Sequence, residues 1–85
     1  MNKLVGIELE IKLSLNYGGA ELDFILSNLN RAQEDLPFGY EVDFQPVQNG
    51  DAFEIIHITL ASDEIALIRS LTKVLQNCFD AKVIG

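Results

Sequence analysis

The residues in this chain that could do chemistry are few. They are one histidine, His57, one cysteine, Cys78, a glycine turn at Asn16-Tyr17-Gly18-Gly19, and thirteen carboxylates. A glycine turn at a helix start can hold an anion through free backbone N–H groups. Glu21 and Asp23 follow it in the first turn and oppose a phosphate, and no lysine adjoins it, so a plain turn is expected over a ligand loop, with Tyr17 either covering the core edge or touching a ligand. A lone histidine without a nucleophile or a second histidine makes no catalytic constellation. His57 is read as a surface histidine balancing acidic neighbours, with a pH-sensitive contact or a weak metal ligand as its functional alternatives. One thiol makes neither an internal disulfide nor a four-cysteine zinc site. Cys78 falls among apolar positions and is expected to be a buried structural thiol rather than a redox sensor. Glu34 and Asp35 are read as solvated surface. No catalytic, cofactor or metal site is expected.

The elements that must position these residues begin with Leu4–Leu15. Val5, Ile7, Leu9, Ile11, Leu13 and Leu15 alternate with Gly6, Glu8, Glu10, Lys12 and Ser14. A period of two with one apolar face defines a strand with one side buried. Such a strand would be about 40 Å long. A helix is predicted from about Ala20 to Glu34, with Leu22, Ile25, Leu26, Leu29 and Ala32 as its buried stripe and Phe24 off its centre. Leu36-Pro37-Phe38-Gly39 stops it, because residues before proline avoid the α region. A hairpin follows. Tyr40, Val42 and Phe44 alternate with Glu41, Asp43 and Gln45, and Gln48-Asn49-Gly50-Asp51 is a strong turn signal.

The parity of the returning strand, Ala52 to Leu60, is ambiguous, since Ile55 and Ile56 are both apolar. Pairing even positions with even gathers Tyr40, Val42, Phe44, Ile56, Ile58 and Leu60 on one face, and a one-residue slip would lose that. This register requires a bulge near Gly50. It leaves Glu41, Asp43, Gln45, Phe53, Ile55, His57 and Thr59 on the other face, with His57 more exposed than the buried six. Pro46 cannot donate to a ladder, which places its strand at a sheet edge. Ser62 is a good N-cap, with Asp63 and Glu64 in the first turn of a second helix. That helix reaches about Cys78, with Ile65, Ile68, Leu71, Leu75 and Cys78 as its stripe. Ala81-Lys82-Val83-Ile84 is a short last strand.

Eighty-five residues are expected to form one domain, 1–85. The 48% hydrophobic content suits a globular core. No run approaches the ~18 apolar residues of a membrane span. The N-terminus leads into an alternating strand rather than a signal peptide, so a cytoplasmic location is expected. A net charge of −7 repels phosphates and argues against direct nucleic-acid binding. Acidity otherwise means solubility, or complementarity to a basic protein surface.

The order β-α-β-β-α-β resembles the ferredoxin-like α/β plait. The resemblance covers the whole chain but is one of topology alone. It implies an α+β fold with a four-stranded antiparallel sheet in the order 4-1-3-2 and two helices on one face. The metal-carrier versions of that fold use a cysteine pair after the first strand, where this chain has Asn16–Gly19. The RNA-binding versions display aromatic and basic residues where this chain has Glu8, Glu10, Lys12, His57 and Thr59. The acylphosphatase-like versions need an arginine in the first loop, whereas Arg31 and Arg69 lie in predicted helices.

These observations point to a non-enzymatic protein–protein interaction or oligomerisation module, with no cofactor and with a protein partner or a second copy. Its candidate surface is the open sheet face at Phe53, Ile55, His57, Glu8 and Glu10. The edge of the first strand at Leu4 and Gly6 adds to it, because its last-strand partner is expected to reach back only to about Glu10. An acidic inhibitor mimicking nucleic acid, as mobile elements encode, and a small-ligand regulatory domain are the alternatives.

Overall fold

The computed structural model describes residues 4–14, 19–46 and 52–85. The chain runs β1 (Val5–Ser14), α1 (Ala20–Gln33), β2 (Gly39–Phe44), β3 (Phe53–Ser62), α2 (Ile65–Phe79) and β4 (Lys82–Val83). The four strands form one antiparallel sheet in the order β2-β3-β1-β4. This is the expected order, and the strand that precedes Pro46 does stand at an edge. The hairpin turn at Gln48–Asp51, with the bulge expected near Gly50, and the turn residues Asn16, Tyr17 and Gly18 lie outside the described residues.

The even-with-even register is the one the hairpin adopts. Phe44 pairs with Ile56, Val42 with Ile58 and Tyr40 with Leu60. β3 then pairs with β1 over ten positions, from Val5 against Ser62 to Ser14 against Phe53. Odd positions of β1 and even positions of β3 therefore share a face. Leu9, Ile11, Ile56, Ile58 and Leu60 are fully buried there, in one cluster with Leu13, Ile25, Leu29, Ile68 and Leu75. Both helices thus cover one face of the sheet, as an amphipathic helix on a half-apolar sheet requires.

Several expectations about this core need correction. Phe44 is 55% exposed, because it ends an edge strand while the helices pack over β1 and β3. Tyr40 and Val42 only flank the core. In α1 the centre of the stripe is Ile25 and Leu29, and Leu26 is half-buried. In α2 the buried line is Ile68, Thr72 and Leu75, with Phe79 packed beside it. This line is rotated from the expected one, so Ile65 and Cys78 are exposed. Thr72 is buried without a lost hydrogen bond because its hydroxyl donates to the Ile68 carbonyl at 2.7 Å.

Ser62 is not the N-cap of α2. It ends β3, buried, and its hydroxyl donates to the Pro37 carbonyl at 2.6 Å while accepting from the Glu64 N–H at 3.1 Å. Asp63 and Glu64 precede the helix rather than filling its first turn. Asp80 ends α2 in the left-handed conformation, φ 53°, and turns the chain back to β1.

Candidate interaction surface

The second face of the sheet carries the even positions of β1 and the odd positions of β2 and β3. No described helix or strand covers it. Cα pairing sets its side chains in rows across the strands. Gly39, Ala61 and Gly6 form the first row. Glu41, Thr59 and Glu8 form the second. The third spans all four strands as Asp43, His57, Glu10 and Lys82. Ile55 stands opposite Lys12, and the backbone N–H of Gln45 bonds to the Ile55 carbonyl at 3.0 Å. Phe53 and Ser14 close the last row.

His57 is the hub of the third row. Its Nε2 lies 3.1 Å from Glu10 Oε2 and its Nδ1 lies 3.3 Å from Gln45 Nε2. Both ring nitrogens therefore have hydrogen-bond partners, the Gln45 side-chain amide at Nδ1 and the Glu10 carboxylate, which accepts from Nε2–H. The expected placement of His57 between carboxylates holds, with Glu10 and Asp43 as its cross-strand neighbours. His57 is more exposed than Ile56, Ile58 and Leu60, but less than Phe44. Among the described residues, no group of three or more His, Cys, Asp or Glu side chains is placed to hold a metal ion.

The far end of the face is apolar. Phe53 is 50% exposed, and Ile55 beside it is half-buried. Lys12 Nζ sits 5.5 Å from the centroid of the Phe53 ring, a cation–π contact over a half-exposed aromatic. The near end is flat. Gly6 and Gly39 have ordinary extended dihedrals, and a Cβ would meet only the Leu60 carbonyl oxygen at 3.7 Å at the first and nothing within 4 Å at the second. The fold itself does not require glycine at either position.

The edge of β1 differs from expectation. The β4 pairing begins at Glu10 against Lys82, the position where it is expected to end. It reaches Glu8, whose N–H bonds to the Gly85 carbonyl at 3.0 Å and whose C=O accepts from Ile84 N–H at 2.9 Å. The cause is the exit of α2. The helix runs to Phe79, and Asp80 and the buried Ala81 return the chain to β1 near its middle. Glu8 is therefore engaged, and Gly6 and Lys12 lie on either side of the ladder. Leu4, 76% exposed, precedes β1.

The structure thus gathers Phe53, Ile55, His57, Glu8, Glu10 and Gly6 on one face, and sets Leu4 at its margin. Asp43, Gln45 and Lys12 share this face as the strand parity expects, and the structure adds Lys82, which sequence reasoning leaves out. Lys82 joins the row only through the register of a two-residue strand. A second apolar feature is a groove between α1 and α2 lined by Phe24, Leu71, Val74, Cys78 and Phe79. In it Phe24 and Phe79 meet edge to face, with centroids 6.0 Å apart. No family model matches the chain, and no curated protein or solved structure does either. No described helix is long and apolar enough to cross a membrane.

Proposed function

We propose that this chain is a non-enzymatic protein–protein interaction or oligomerisation module built on a ferredoxin-like α/β plait, working in the cytoplasm through its open sheet face. The observation that carries the reading is the apolar end of that face. Phe53 and Ile55 lie side by side on a sheet surface that no described element covers. Apolar side chains grouped on such a surface, with polar residues around them, are what contact surfaces present. The edge of β1 contributes at Gly6 and Lys12, where backbone groups beyond the β4 ladder offer strand addition. The presence of His57 and Lys82 in one row with Asp43 and Glu10 favours this module over a uniformly acidic mimic of nucleic acid.

The test replaces Phe53 and Ile55 with serine together. Association is followed by light scattering for self-assembly and by pull-down from the host for a foreign partner. The expected result is loss of association with an unchanged circular dichroism spectrum. Association at the wild-type level in both assays would count against the open face and direct attention to the groove between the helices.

A further inference from the structure

The reading above leaves the partner open, and the four-strand row closes it. We infer that the open face packs against the open face of a second copy, related by a two-fold axis that runs parallel to the strands between β3 and β1. This inference rests on the open face being the contact surface. Sheets packed face to face keep their strand directions within about 30°, which leaves two in-plane choices of axis, along the strands or across them. An axis across the strands keeps each strand over its own counterpart. Through the third row it sets Glu10 over Glu10 and Asp43 over Asp43. Between the second and third rows it sets Glu8 over Glu10 and Glu41 over Asp43. Between the third and fourth rows it sets Glu10 over Lys12, but it leaves His57 over Ile55 and gives Asp43 and Lys82 no charged partner. Like charges set directly opposite one another repel.

An axis along the strands sets β2 over β4 of the second copy and β3 over β1. The row Asp43, His57, Glu10, Lys82 then meets itself reversed. Each Asp43 faces a Lys82, and each imidazole faces a Glu10 carboxylate. No like charges stand opposite in any row. Thr59 faces Glu8, Ile55 faces the aliphatic stem of Lys12, and Phe53 faces Ser14. At the near end Ala61 faces Gly6, so the sheets approach closely where the fold alone has no need of glycine. The axis along the strands opposes no like charges and pairs Asp43 with Lys82 and His57 with Glu10 twice each, more than any axis across them does, and this selects both the partner and its orientation.

Charge swapping tests this. D43K and K82E are made separately, both at exposed positions on outer strands. Wild-type protein is expected to sediment as a dimer. Each single variant is expected to dimerise at least about tenfold more weakly, since lysine meets lysine or aspartate meets glutamate twice in its homodimer. A one-to-one mixture restores dimerisation to within about threefold. In the mixed dimer the lysine introduced at position 43 faces the glutamate introduced at position 82, and the native Lys82 of one chain faces the native Asp43 of the other. Should either reversal disturb the circular dichroism spectrum, D43N and K82Q replace them, each expected to weaken the dimer by roughly threefold. A monomeric wild type at every concentration overturns the inference, and so does a mixture no tighter than its components. In both cases F53S/I55S still decides by pull-down whether the open face binds something else.

Discussion

The two faces of the sheet are made from the same strands and differ in every physical respect. On the covered face Leu9, Ile11, Ile56, Ile58 and Leu60 lose all contact with solvent beneath two helices. On the open face the intervening residues keep part of theirs, and charge, amide and aromatic groups satisfy one another within and between rows. The covered face is specified by volume and apolar area, so it tolerates few changes and carries the stability. The open face is specified by pairing, so most single changes to it leave the fold standing. A domain that divides stability and recognition between alternate residues can vary one with little effect on the other.

The largest effect is expected on the covered side. Leu9→Ala, fully buried opposite Ile58, should cost about 2–5 kcal/mol in urea denaturation. A loss below about 1 kcal/mol would erase the contrast between the faces. Ser62→Ala comes next, because it removes a buried hydroxyl and leaves the Pro37 carbonyl and the Glu64 N–H without their partner. A loss of about 1–3 kcal/mol is expected from the same measurement. The smallest effect belongs to the open face. His57→Ala breaks the bonds to Glu10 and Gln45 at a partly exposed site and should change stability by less than about 1 kcal/mol. A larger loss would mean that the open face also holds the fold.

The strand parity is legible in the sequence alone. The choice between pairing even with even or even with odd turns on Ile55 and Ile56, and counting apolar residues on each side decides it. The edge position of β2 is legible from Pro46. Helix faces are read less well, because an apolar stripe can rotate by one residue at no cost to its pattern. In α2, Thr72 takes a buried position that a hydrophobic count gives to Leu71, because a threonine hydroxyl can bond back to its own helix. The chemistry of a thiol points Cys78 to the core, while Phe79, larger and packed on Phe24, holds the place beside it. The open-face row is legible but for one residue. Asp43, His57 and Glu10 follow from parity, whereas Lys82 depends on where α2 releases the chain, a tertiary matter with no local signal.

The central pairing of β1 with β3 has a consequence in time rather than in energy. It joins residues as far apart in sequence as Val5 and Ser62, and neither helix has a complete apolar surface to rest on until it forms. The β2–β3 hairpin is local and needs no such closure. Recruitment of β1 to that hairpin is therefore the expected slow search in folding, because the entropy of closing a long loop is spent before its contacts are gained. The chain should fold at the speed of a mixed α/β domain, slower than a helical bundle of equal length. Until β1 docks, the edge of β3 that it will occupy stays available to any other strand nearby.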